Sequence, residues 1–173
     1  RQALEFGLQV VEQGFFVGGA IVPATDIFLS TDGLLSFGAA ITGFQADPAG
    51  LATPFIAAFH ADVDTRLDGE GAESGPVWID LDPQEDGVTI TWQDVGFDRR
   101  NATETNTFQL QLFDRGNGEF DVVLRYEDIG WVSGDLEGGW NGLGGTAAWI
   151  GAKLGTGAAV TLAASGNETA LLA

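Results

Sequence analysis

Apolar and polar residues alternate with a period of two over much of this chain, and that period belongs to strands. The clearest case is residues 105–129. Phe108, Leu110 and Leu112 alternate with Gln109 and Gln111, Arg115-Gly116-Asn117-Gly118 supplies turn chemistry, and Phe120, Val122, Leu124 and Tyr126 return against Asp121, Val123 and Arg125. Period two on both sides of a Gly-Asn-Gly turn predicts a β-hairpin. A second hairpin is predicted upstream. Val77, Ile79 and Leu81 alternate with Trp78, Asp80 and Asp82, residues 83–87 turn the chain, and Val88, Ile90 and Trp92 alternate with Thr89, Thr91 and Gln93. Residues 26–37 read as two short strands broken at Thr31-Asp32-Gly33, and residues 54–64 as one mostly buried strand with an acidic far end. Residues 147–154 and 158–163 make a last pair around Gly155-Thr156-Gly157, and the Gly-rich residues 134–145 read as a loop. A helix is conceivable only at residues 1–13 or after Asp47, and neither has an apolar stripe with caps. The pattern predicts an all-β chain: an antiparallel β-sandwich or curved double sheet with short loops and at most minor helix.

Composition fits that picture. The 173 residues are of one-domain size, and with 45% apolar residues, twelve Phe and five Trp they can build a core without staples. Residues 1–173 are therefore read as a single domain. Gly, at 26 residues, supplies many tight turns. The absence of Cys excludes disulfides, thiolate metal sites and a Cys nucleophile. Seven basic residues against 25 acidic ones give a net charge of −18. Such a surface repels nucleic acid and anionic lipid, and no stretch is apolar enough to insert directly into a membrane. Divalent cations and basic partners remain compatible. A lone Lys, Lys153, beside six Arg hints at an Arg-biased bacterial source.

Most catalytic patterns are absent, and paired carboxylates for glycoside hydrolysis stay open because their spatial separation decides that case. The only His is His60, no Gly-x-Ser-x-Gly elbow occurs, and the Gly-rich stretches lack the Lys-Ser/Thr of a phosphate-binding loop. The dense polar constellation is His60-Ala61-Asp62-Val63-Asp64-Thr65-Arg66-Leu67-Asp68-Gly69-Glu70. On one strand, residues 60, 62 and 64 would share a face. Two readings stay open. Asp62, Asp64, Asp68 and Glu70 could supply oxygen ligands to calcium, or Asp62 and Asp64 could bond backbone amides and pair with Arg66 at a strand end. Among the five Trp, Trp92 and Trp149 read as core. Trp78 is out of phase with its strand's apolar face and Trp140 lies among glycines, so these two are the candidates for exposed, ligand-binding rings. Asn101 and Asn167 begin N-x-Thr sequons, read here as chance occurrences in polar turns.

These segments, in their order, resemble the nidogen-like (NIDO) extracellular domain. The resemblance is carried by residues 30–38, 56–66, 91–96, 106–112, 120–131 and 158–172, with Asp62-Val63-Asp64-Thr65-Arg66 at its centre. Two positions depart from the family pattern: Ala58 stands for the usual Pro and His60 for the usual Trp. The resemblance implies an extracellular module of secreted or cell-surface proteins, associated with adhesion and carrying no agreed enzymatic activity. Its partner would be an extracellular protein or a glycan. Two alternatives remain: a self-associating structural subunit of a filament, layer or particle, and a carbohydrate-binding or carbohydrate-acting domain using Trp78 or Trp140.

Overall fold

The computed structural model describes residues 14–67 and 69–173, so the helix considered for residues 1–13 and any ligand role of Asp68 lie outside it. Twelve strands follow one another among the described residues: β1 (Phe15–Val17), β2 (Ala20–Val22), β3 (Ile27–Ser30), β4 (Leu34–Phe37), β5 (Phe55–His60), β6 (Val63–Asp64), β7 (Val77–Asp82), β8 (Gly87–Phe97), β9 (Asn101–Gly116), β10 (Glu119–Ile129), β11 (Trp149–Lys153) and β12 (Val160–Thr161). A single helical turn, α1 (Glu168–Leu171), and three short 3-10 turns are the only helix described. No helix among the described residues is long and apolar enough to cross a membrane. The all-β antiparallel expectation holds.

Two five-stranded antiparallel sheets carry the architecture. One runs β12-β11-β5-β4-β3. In the other, β10, β9 and β8 lie side by side, and the far edge of β8 is shared by β7 and β6. The alternation read from the sequence decides which faces meet. Val88, Ile90 and Trp92 of β8 and Phe108, Leu110 and Leu112 of β9 point inward, onto Leu29, Leu35, Ile56 and Ile150 of the opposite sheet. Trp92 stacks on Phe108 with ring centroids 4.9 Å apart, and Phe59 of the opposite sheet lies 5.3 Å from Phe108. Fully burying one such aromatic or aliphatic side chain is worth about 1.5–3 kcal/mol, so this layer supplies much of the driving force.

Polar bonds fix the sheets to each other. Trp92 Nε1 donates to Thr31 O at 2.9 Å, and Tyr126 Oη donates to Ala58 O at 2.6 Å. The turn 31–33 needs its glycine. Gly33 has φ +78°, and a Cβ there would run into the carbonyl of Phe59. A second, smaller core lies on the other side of the β5 sheet, where Leu34, Phe55, Ala57 and Trp149 are covered by Ile41, Ala49 and Leu51. Lys153 ties that cover down by donating to Ala49 O at 3.0 Å and Leu51 O at 2.7 Å.

One sequence expectation is corrected and two are filled in. Residues 54–64 are not one strand: β5 ends at His60, the chain crosses between sheets at Ala61-Asp62, and β6 pairs with β8 instead. Hence His60, Asp62 and Asp64 do not share a strand face. The run is buried throughout, so it has no alternation to reveal the crossing. After Asp47 there is only a 3-10 turn, Pro48–Gly50, capped by the Asp47 carboxylate on Ala49 N. The 134–145 loop is more ordered than its glycines suggest, holding a 3-10 turn, Asp135–Glu137, and a tight hairpin at Trp140–Leu143.

Candidate functional site

The crossover at Ala61-Asp62 delivers the acidic signature to one end of the sandwich. There it meets the β8–β9 turn and the 130–145 loop. Asp64, 6% exposed, is the hub of this corner. Its carboxylate accepts from the Arg66 guanidinium through Nε at 2.7 Å and through Nη2, and from the backbone N–H groups of Arg66 and Arg100, each at 3.0 Å. Burial works against its ionisation, but these donors outweigh burial and hold the carboxyl below its ordinary value. The second of the two sequence readings thus describes Asp64: it pairs with Arg66 and bonds backbone amides.

The turn that Asp64 braces is unusual. Arg99 and Arg100 both adopt left-handed backbone, φ +60° and +62°, where a two-residue hairpin turn ordinarily takes Asn-Gly. Arg99 reaches Asp135 Oδ2 at 3.0 Å and so ties this turn to the next loop. That loop is anchored by Asn106, which is fully buried. Its Oδ1 accepts from Gly130 N at 2.8 Å and Trp131 N at 3.1 Å, and its Nδ2 donates to Trp131 O at 2.9 Å. Glu137 accepts from Gly134 N inside the loop and lies against Asp62, whose side chain packs beneath Gly134. Burial is the main cause that pushes the Glu137 carboxyl up to about 8, helped by the charges of Asp62 and Asp32. Glu137 is accordingly a neutral acid at pH 7.

At the tip, Trp140 and Leu143 form a hydrogen-bonded pair, N to O at 2.8 and 3.2 Å, around Asn141-Gly142. Asn141 and Gly142 have φ +51° and +84°, and a Cβ on Gly142 would strike the buried Trp131. The hairpin is therefore clamped onto the core. It leaves Trp140 78% exposed, with Leu136 and Leu143 of the same loop also exposed.

The sequence-predicted residues separate into different places. Among the described residues no three His, Cys, Asp or Glu side chains group to hold a metal ion. Asp62 and Asp64 sit at the corner, and Glu70 is exposed on the loop beyond it. His60 is buried and its two ring nitrogens face Asp32 O at 3.0 Å and Gln45 O at 2.8 Å. Burial lowers its pKa, opposed by those carbonyls and the Asp32 charge. A neutral imidazole donates to one of these two carbonyls, so His60 ties β5 either to the 31–33 turn or to the 39–54 cover. Trp78 is 54% exposed on the outer face of β7, and its Nε1 donates to Gln93 Oε1 at 2.9 Å. Both sequon asparagines have structural work: Asn101 accepts from Thr103, and Asn167 caps α1 through Ala170 N. Sequence reasoning missed Asn106, Glu137 and the Arg99-Arg100 turn. Only Asn106 left a signal, as a polar residue at an inward position of an alternating strand.

Comparison with known proteins follows the same lines. The chain is 26% identical to alpha-tectorin of Gallus gallus over 159 residues, covering 75% of this chain and 7% of that protein. It is 28% identical to nidogen of Drosophila melanogaster over 166 residues, covering 83% of this chain and 12% of that protein. The chain thus spans a small part of the length of these relatives. No solved structure matches it. The family model described as the nidogen-like domain matches residues 80–171, more than half of the chain, and takes in β8, β9, β10, the Asn106 anchor and the Trp140 loop. The protein belongs to the nidogen-like domain family.

Proposed function

We propose that this chain is a non-catalytic recognition module of an extracellular protein, and that it docks partner proteins through the Trp140 hairpin. The observation that carries this reading is a large aromatic ring, 78% exposed, held on a tight turn clamped against Trp131. A rigid exposed Trp binds with little ordering cost, and Trp is enriched among residues that dominate interface energies. The net charge of −18 favours a partner surface with basic residues around an apolar pocket. Family membership supports an extracellular setting, and the engagement of His60 and Asp64 by neighbouring groups supports the absence of catalysis.

The test is surface-plasmon binding to a panel of purified extracellular-matrix proteins, with wild type and Trp140→Ala side by side. Binding of at least one matrix protein, weakened about tenfold or more by the substitution, is the expected result. Partner binding unaffected by Trp140→Ala would overturn the docking assignment. Hydrolytic activity abolished by Asp62→Asn would overturn the non-catalytic reading.

A further inference from the structure

The outward face of β7–β10 carries a second surface that shares no residue with the Trp140 hairpin. Register places Trp78, Thr91, Gln109 and Arg125 in one row across four strands. With strands spaced about 4.8 Å, the row spans roughly 14 Å. The next row brings Asp80, Thr89 and Gln111 alongside. The outward positions of the two central strands include Thr89, Thr91 and Gln93 on β8 and Thr107, Gln109 and Gln111 on β9, uncharged amides and hydroxyls in a chain with 25 acidic residues. A carboxylate lies beside them in Asp94, exposed at the β8 bulge, which accepts from Thr107 Oγ1 at 3.3 Å. Strand preference accounts for Thr but not for Gln.

These side chains are held in place. Gln109 Nε2 donates to Thr91 Oγ1 at 2.9 Å and Gln111 Nε2 to Thr89 Oγ1 at 3.0 Å, while Gln93 fixes the Trp78 indole. At the far end of the row, β10 carries a bulge between Tyr126 and Asp128. Beside it lies a hollow of about 330 Å³ lined by Thr107, Gln109, Arg125 and Glu127 among others. Arg125, one of the residues lining it, has no carboxylate partner among the described residues.

We propose that this strip, from Trp78 across Thr91 and Gln109 to Arg125, binds an uncharged oligosaccharide. An exposed indole offers the flat apolar face on which a sugar ring stacks. The fixed amides and hydroxyls offer the alternating donors and acceptors that ring hydroxyls need. The neutrality of Thr89, Thr91, Gln109 and Gln111 matches a neutral ligand, and the surrounding acids, Asp80 and Asp94 among them, repel polyanionic glycans.

The experiment is isothermal titration of the whole chain with neutral oligosaccharides (cello-, chito-, xylo-, manno- and maltohexaose), with heparin fragments as the anionic arm. At least one neutral hexaose is expected to bind with a dissociation constant in the millimolar range or below. Trp78→Ala and Gln109→Ala should each weaken it about tenfold, while Trp140→Ala and added salt leave it unchanged. Thermal melts of each variant distinguish lost binding from lost folding. No binding by any of these neutral hexaoses, binding that survives Trp78→Ala in a folded variant, or binding confined to heparin and abolished by salt would each overturn the proposal. The Trp140 arm keeps this outcome separate from the protein-docking reading, which can fail or stand independently.

Discussion

At the scale of single residues, two carboxyls of the loop end respond to pH in opposite directions. Glu137 has its pKa raised to about 8, so its folded form keeps a proton that the unfolded chain releases near 4.5. The stability this contributes is full below about pH 4.5 and is lost as pH rises to about 8. Asp64 has its pKa lowered, so its contribution is present above the ordinary carboxylate range and lost as pH falls through it. Ordinary carboxylates are already ionised at pH 5, so the overall charge changes little from pH 5 to 8. Buried His60, whose pKa is lowered, works the other way, because the unfolded chain takes up its proton below the ordinary imidazole range. Glu137 acts across this whole interval and His60 only across its lower half, so urea unfolding should show the protein more stable at pH 5 than at pH 8, by about 1–3 kcal/mol. Glu137→Gln, which cannot ionise, should remove that difference or reverse it. A pH dependence left unchanged by Glu137→Gln would contradict the placement of Glu137. Asn106 makes a different prediction. Asn106→Ala would leave the buried N–H and C=O of Trp131 without partners and Gly130 N with only its bond to Thr105 O, and its expected cost in the same assay is about 2 kcal/mol or more.

At the scale of elements, the strands were legible where one face is wet and one is dry. β7 to β10 alternate because only their inner face meets the core, and the same alternation exposed Trp78 as an outward ring. The crossing at Ala61-Asp62 was hidden because residues 55–64 are buried on every side, and continuous burial carries no phase. Trp140 was legible from its glycine surroundings, whereas Glu137 was not, since its burial depends on Asp62 arriving from another sheet. The Arg99-Arg100 turn gave no signal at all, because its residues contradict the turn they form. That contradiction has a consequence. Left-handed backbone costs a non-glycine residue roughly 1–2 kcal/mol. Arg100 serves Asp64 only through a backbone N–H, which any replacement but proline keeps. Arg99 is 78% exposed in its pair with Asp135, and such surface pairs contribute at most about 1 kcal/mol. Replacing the pair by Arg99→Asn and Arg100→Gly should therefore stabilise the hairpin by about 1 kcal/mol, seen as a higher midpoint in thermal melts. A lower midpoint would show that the arginine side chains matter more to the corner than their exposure suggests.

At the scale of the whole molecule, charge sets the terms. A net charge of −18 on a chain of 173 residues resists compaction, and the ion pairs that offset it at the surface are few among the described residues. Screening should relieve this repulsion. The screening length falls from about 30 Å at 0.01 M salt to about 8 Å at 0.15 M, shorter than the distances across which most of these acids repel. The thermal midpoint should therefore rise across that range of NaCl. Calcium chloride at matched ionic strength adds a second reading. An equal rise means that calcium acts on the molecule as a screening ion, as the engagement of Asp64 by Arg66 and Arg100 leads us to expect. A larger rise, removed by Asp62→Asn or Asp68→Asn, would assign bound calcium to the acidic signature and make the loop end an ion-ordered surface. The two outcomes have different consequences for docking through Trp140. In the first, partner binding weakens steadily with salt as the surrounding charges are screened. In the second, it requires calcium at any ionic strength.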